Sequence, residues 1–159
     1  MNERTTMKSY KKTRMFIAII LILSCFAQSI IAQGTLYVSN LGQSSTGGAV
    51  IGGDAWIAQS FITGTNSGGY DLNSIQLLVG AASGSPTGFS VSIFSSLGNG
   101  APGGSLGSLN GSDPAASSAY TYTTSGIMLS PSSSYYVVAT AATPVAQGDY
   151  AWSLAGNDT

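Results

Sequence analysis

Apolar and polar residues alternate along several short segments of this chain. The clearest case is residues 89–94, in which Phe89, Val91 and Ile93 fall on one side and serines on the other. Alternation with a period of two is typical of an antiparallel β-strand with one buried face. The same pattern predicts strands at 120–123, at 150–154 and, with Leu78 as the exception, at 74–79. A strand is also predicted at 134–140, and further candidate strands are 36–39, 57–63 and 105–109.

Clusters of glycine and proline separate these strands. They occur at Gly47-Gly48, Gly52-Gly53, 64–69, 84–88, 98–104 and Asp113-Pro114. Glycine admits positive φ and proline presets φ, so the clusters predict turns. No segment after residue 33 shows sustained helical periodicity. We therefore predict an all-β fold, an antiparallel β-sandwich or jelly-roll-like single domain over residues 33–159 that follows an N-terminal signal helix.

Two of the predicted strands have an expected place in the sheets. Residues 134–140 are β-branched or aromatic on both faces, which favours a central strand. The strand at 150–154 comes just before Thr159, where the sequence stops. We expect a chain shortened at its C-terminus, with this last strand as an unpaired, aggregation-prone edge.

The first 32 residues have the layout of a secretory signal peptide. A basic stretch is followed at once by an apolar run that extends from Met15 to Phe26. This run is too short to cross a hydrocarbon core of about 30 Å comfortably as a helix. We predict a cleaved signal at residues 1–32 and a secreted or cell-surface protein. An uncleaved N-terminal anchor and lipid attachment at Cys25 are the alternatives.

The distribution of charge excludes several kinds of partner. The five cations are Arg4, Lys8, Lys11, Lys12 and Arg14. Residues 33–159 contain no Lys, Arg, His or Cys and five aspartates, hence a formal net charge of −5. Such a domain cannot neutralise phosphates or anionic lipid heads, so it should not bind nucleic acid. It should meet a membrane only through the N-terminal signal or a missing C-terminal anchor.

The same deficit argues against catalysis, and we predict that the protein is not an enzyme. Hydrolytic triads need a base, usually His, and zinc or copper sites use imidazole or thiolate. A glycosidase that uses carboxylates alone is a distant alternative. We predict no cofactor. Calcium is the alternative, since it takes carboxylate and carbonyl oxygens, and its candidate ligands are Asp54 and Asp149. Each aspartate otherwise resembles a turn residue that bonds its own backbone.

Aromatic residues supply the candidate binding site. Tyr120 with Tyr122, and Tyr150 with Trp152, share a strand face and are expected in the core. Tyr136 and Trp56 are the candidate ligand-binding residues, because a flat ring with a polar edge suits a sugar.

A series of short motifs resembles a known family. They are VSNL at 38–41, AQSFITG at 58–64, YDLNSI at 70–75, VSIFS at 91–95, GAPG at 100–103, SLG at 105–107 and LSPSSSYYVV at 129–138. Together they resemble the choice-of-anchor R domain over residues 36–152. The resemblance implies an exported bacterial β-sandwich without assigned enzymatic activity, displayed through C-terminal sorting signals such as PEP-CTERM. This sequence contains no such anchor motif.

These observations predict an exported, non-enzymatic structural or adhesion module of the cell surface or extracellular matrix. Its expected partners are extracellular polysaccharide or surface proteins. The alternative is a carbohydrate-binding module that uses exposed aromatic rings.

Overall fold

In the computed structural model, which describes residues 41–42 and 44–155, the chain alternates between two antiparallel β-sheets. The strands are β1 Ser45–Ile51, β2 Ile57–Ile62, β3 Tyr70–Val79, β4 Ser83–Gly84, β5 Ser90–Ser96, β6 Pro102–Leu109, β7 Ser118–Leu129, β8 Ser134–Thr140 and β9 Gly148–Ala155. A single turn of 3-10 helix, Val145–Gln147, precedes β9. Within these residues no helix has the length and apolar character needed to span a membrane. The predicted signal peptide and the predicted strand at 36–39 lie outside the described residues.

The strand order is that of a jelly roll. One sheet has the order β1-β9-β3-β7, with the two-residue β4 added to β9, and the other has the order β2-β8-β5-β6. In each sheet a strand from the end of the chain lies between two earlier strands: β9 between β1 and β3, and β8 between β2 and β5. This arrangement is that of the two Greek keys of a jelly roll. The predicted all-β, jelly-roll-like sandwich is confirmed.

The core lies between the two sheets and contains no buried polar or charged residue among those described. Phe89, Val91 and Ile93, from the clearest alternating segment, are buried as predicted. The expected core positions of the paired aromatic residues are also confirmed: Tyr122, Tyr150 and Trp152 are buried, and Tyr120 packs against the core.

Strands β3 and β7 are interrupted by a bulge. On each strand the core-facing residues have even numbers on one side of the bulge and odd numbers on the other. Leu72 pairs with Ile127, whereas Ser74 pairs with Thr123, so β7 contains the longer segment between these two pairs. The extra residues include Gly126, whose φ of 82° is favourable only for glycine. Leu72 and Leu77 differ in parity, yet both pack into the core because the bulge lies between them.

Several predicted strands are confirmed in place. The segment 134–140 forms β8, which lies between β2 and β5 and is buried on both faces. The segments 74–79, 105–109, 120–123 and 150–154 lie within β3, β6, β7 and β9. Residues 57–62 form β2.

One predicted turn is wrong and another is too long. Gly47 and Gly48 belong to β1. The turn predicted at 98–104 is confirmed between β5 and β6, where the amide of Leu97 donates to the carbonyl of Ala101 at 3.1 Å, but β6 already begins at Pro102. In β1 the glycine has a packing reason, since a Cβ on Gly48 would lie 3.2 Å from the Cβ of Ala151 on β9. A glycine pair in an edge strand therefore signals close approach of a neighbour rather than a turn.

The expected unpaired edge at the last strand is also wrong. β9 lies between β1 and β3, and it pairs with β1 from Ser45 to Ile51. On its other side, Val79 pairs with Trp152, and the amide of Gly80 donates to the carbonyl of Ala151 at 2.7 Å. The jelly-roll order makes the last strand interior, which local sequence pattern does not reveal.

Candidate functional site

Four connections meet at one end of the sandwich, which we call the loop end. They are the β1–β2 turn (52–56), the β3–β5 connection (80–89), the β6–β7 connection (110–117) and the β8–β9 connection (141–147). The amide of Gly53 donates to the carbonyl of Thr143 at 2.7 Å, and the amide of Ala142 donates to the carbonyl of Thr87 at 3.0 Å. Loops held by a sheet scaffold are the usual place for binding residues.

Asp54 joins two of these connections. Its carboxylate Oδ1 accepts a hydrogen bond of 2.8 Å from the amide of Val145, the first residue of the 3-10 helix. The partner is 91 residues away in sequence. The interpretation of Asp54 as a residue that bonds its own turn is therefore wrong, because its carboxylate holds the β8–β9 connection.

Asp113 joins the β6–β7 connection to the β3–β5 connection, a role that its Asp-Pro turn motif does not predict. Its Oδ2 accepts a hydrogen bond of 2.7 Å from the amide of Gly88, and its Oδ1 accepts one of 3.0 Å from the amide of Phe89. Gly88 has φ of 70°, and a Cβ there would lie 2.7 Å from the Cβ of Ala142. Only glycine can bring the backbone to the carboxylate at this point.

An aromatic cluster lies next to the Asp113 carboxylate. The Phe89 ring meets the Tyr150 ring edge-on at 5.0 Å between centroids and the Tyr122 ring at 5.6 Å. The Tyr150 hydroxyl donates to the carbonyl of Pro86 at 2.9 Å, with Asp113 Oδ2 at 3.3 Å. The Tyr122 hydroxyl lies 3.3 Å from the carbonyl of Ser112, to which it donates. The loop end is thus continuous with the core.

Burial and the nearby negative charge keep these two phenols neutral. Burial first, and then the charge of Asp113, raise the pKa of Tyr150 to about 12. The same two causes, in the same order, raise the pKa of Tyr122 well above its ordinary value. Both hydroxyls are therefore hydrogen-bond donors at neutral pH, and neither is suited to act as a base.

The structure separates the two candidate ligand-binding rings. Trp56 at the loop end is 64% exposed, and its ring N–H donates to the carbonyl of Gly53 at 3.3 Å. Tyr136 is only 8% exposed and alternates along β8 with the core residues Tyr135 and Val137, so it faces the outer side of the sheet. Trp56 is thus the only one of the two that offers a ring to solvent.

The two candidate calcium ligands lie on different elements. Asp54 follows β1, whereas Asp149 lies in β9 and pairs with Ser83 of β4. No group of three or more acidic, His or Cys side chains suited to a metal ion occurs in the part of the chain that the structure describes. Calcium at Asp54 and Asp149 stays a prediction.

Comparison with known proteins identified no relative of this chain. No family model matches the chain, and neither a curated protein nor a solved structure matches it. The resemblance to the choice-of-anchor R domain therefore stays a prediction, and the fold is defined by its strand order.

Replacing Asp113 should loosen the loop end. Asp113→Ala removes the acceptor of two backbone N–H groups, and we expect the free energy of unfolding to fall by about 1–3 kcal/mol in urea denaturation. Asp113→Asn keeps one amide oxygen and should lose less. The matched control is Asp71→Ala, an exposed aspartate whose substitution should change stability by less than about 0.5 kcal/mol. Equal losses at Asp71 and Asp113 would contradict the assigned role.

Alkaline pH should destabilise the fold through Tyr122 and Tyr150. Their folded-state pKa values lie above the unfolded value of about 10, so the fold favours the neutral phenols. This contribution is complete below about pH 10 and is lost as pH rises through about 12 for Tyr150. Tyrosinate absorbance during an alkaline titration should show two late phenols in the native protein and none in denaturant. Tyr150→Phe should remove one of them. Titration of both phenols near pH 10 in the native protein would refute this.

Proposed function

We propose that this protein is an exported, non-enzymatic structural or adhesion module of the cell surface or extracellular matrix. The observation that carries the proposal is the state of the loop end. Its carboxylates at Asp54 and Asp113 are occupied by backbone amides of neighbouring loops, and its buried phenols are neutral donors. The groups that would otherwise support chemistry there stabilise the fold instead.

The outer surface of the sheets supports the same proposal. Side chains on neighbouring strands bond each other through hydroxyl and amide groups: Ser92 with Ser108 at 2.9 Å and Gln76 with Thr121 at 3.0 Å. A surface of this kind presents many weak donors and acceptors and no positive charge. It suits neutral, hydroxyl-rich partners such as extracellular polysaccharide, and surface proteins that do not depend on anion recognition.

Export rests on the basic and apolar pattern of residues 1–32 and on the resemblance to the choice-of-anchor R domain. The low charge of residues 33–159 agrees with a domain that works outside the cell. The membrane is then reached only through the N-terminal region or through an anchor beyond this sequence.

Carbohydrate binding is the second candidate, and the exposure of Trp56 favours it. The ring is 64% exposed, lies beside the loop connections and has its N–H fixed on the carbonyl of Gly53. A flat, oriented indole can stack on a sugar ring. Tyr136 would join such a site only after its burial was relieved.

Export is tested by breaking the apolar run. Expressed in a bacterial host, the wild-type chain should be found outside the cytoplasm, in the cell-surface or matrix fraction, with a shortened N-terminus by mass spectrometry. The double substitution Ile19→Arg and Leu21→Arg should keep it in the cytoplasm, because charge in the apolar segment blocks insertion. Leu97→Arg, a control outside this segment, should leave export unchanged. A wild-type chain that stays in the cytoplasm would refute the proposal.

Sugar binding is tested by removing the exposed ring. If Trp56 forms a platform, insoluble polysaccharides should retain the wild-type protein in a pull-down, and Trp56→Ala should reduce retention by about tenfold or more, since a stacked ring contributes about 1.5 kcal/mol. Leu97→Ala is the matched control, because Leu97 is also 64% exposed. Equal retention of Trp56→Ala and wild type would exclude Trp56 as the platform.

A further inference from the structure

Among the residues that the structure describes, strand β2 presents an open backbone edge. It forms one side of its sheet and pairs with β8 but with no other strand of the described residues. The amide of Thr63 donates to the carbonyl of Ser133 at 3.0 Å, just beyond the last residue pair of the two strands. Because backbone groups alternate in direction along a strand, odd-numbered residues of β2 bond β8. Ala58, Ser60 and Ile62 therefore direct their N–H and C=O groups away from the sheet.

Two of the other long edge strands are interrupted within their length: β7 has the bulge that contains Gly126, and β6 has two shifts against β5. β1 has a register shift only at its start, between Ser45 and Gly47. Bulges of this kind protect an edge because they twist it and break its row of hydrogen-bonding groups. β2 has a continuous register from Ile57 to Ile62 and lacks that protection.

The side chains of β2 also leave the edge unprotected. Its sequence, IAQSFI, contains no charged residue and no proline, the residues that commonly block pairing. Ala58, Gln59 and Ser60 are exposed, and Ile62 is 65% exposed. The amide of Gln59 donates to the outward carbonyl of Ser60 at 3.3 Å, a long bond that the N–H of another strand could replace.

We propose that β2 is a self-association surface at which a second copy of this chain pairs antiparallel, β2 to β2, about a two-fold axis at Ser60. This register keeps the core-facing side chains of both copies on one side of the joined sheet, because the side-chain period of a strand is two. It places Ser60 opposite Ser60 of the second copy and Ala58 opposite Ile62 of the second copy. All outward-directed backbone groups then find partners.

A second copy fits this edge better than a charged partner strand does. The pairing is self-complementary, since the small Ala58 accommodates the exposed Ile62 of the other copy. None of the aspartates of either copy lies in β2, so no like charges meet across the axis, where they would destabilise the pair. A two-fold interface of this type closes on itself and yields a dimer rather than a fibre.

The test removes one outward N–H without touching the bonds to β8. The full chain, with its N-terminal region left for the host to process, is studied by sedimentation equilibrium. Wild type should show a concentration-dependent dimer. Ser60→Pro should shift the dissociation constant upward by at least tenfold, since proline lacks the N–H and is tolerated where that group points out of a sheet. Ser60→Ala keeps the N–H and should dimerise as wild type does.

A charge provides a second variant if Ser60→Pro fails to fold. Ile62→Lys brings two cations to the interface and should give monomers, whereas Met128→Lys, a substitution at a residue that is 61% exposed on β7, should not. The proposal is overturned if wild type is monomeric up to about 1 mM, the weak end of specific association. It is also overturned if the dimer survives Ser60→Pro or Ile62→Lys. Slow hydrogen exchange of the Ser60 amide in a monomer would likewise overturn it and assign the edge to a segment of the same chain.

Discussion

The arrangement of the loop end depends on the carboxylate of Asp113, which is held by backbone amides. Residues 33–159 contain no cationic side chain, and within the described residues Asp113 is stabilised by the N–H groups of Gly88 and Phe89. These bonds fix the start of β5, and with it the Phe89 ring that packs on Tyr122 and Tyr150. Charge-assisted bonds to fixed amides cost less side-chain entropy than a pair of long flexible side chains. The two hydrogen bonds to Asp113 therefore fix the position of the loop end more firmly than a flexible ion pair on the surface would.

The sequence predicted the fold wherever a strand has one buried face, because the alternation of residues 89–94 directly records that burial. It failed where the cause is distant in the chain. The Gly47-Gly48 pair was predicted as a turn because its close neighbour is remote in sequence: a Cβ on Gly48 would lie 3.2 Å from the Cβ of Ala151 on β9. The pairing partner of Leu72, which is Ile127, and the amide that bonds Asp54, which is that of Val145, are also far away in the sequence. Tyr136 is a candidate ligand-binding ring by residue type, but the structure shows it only 8% exposed.

The candidate site was predictable in part. The exposure of Trp56 follows from its place after a glycine turn, and the lack of cationic side chains in residues 33–159 follows from composition alone. The role of Asp113 was not predictable from its own Asp-Pro turn motif, because that motif says nothing about Gly88 or Phe89. One clue was present: a domain without cationic side chains leaves only neutral donors for its carboxylates, namely backbone N–H, hydroxyl, side-chain amide and indole groups. On the outer face of the sheet, neighbouring strands of the described residues are joined by hydrogen bonds between hydroxyl groups, such as that of Ser92 with Ser108, and not by ion pairs.

The regularity of β2 follows from the core that it covers. Ile57 and Phe61 are the side chains by which this strand packs against the core, and Phe61 contacts Tyr135 at 5.9 Å between ring centroids. The two residues have the same parity, so a bulge between them would turn one of them to solvent. In β3 and β7 the apolar residues switch between even and odd positions at the bulge, so the bulge turns none of them away from the core. β2 cannot be interrupted in the same way without losing apolar burial. Its open edge is therefore a consequence of closing the core with a short strand.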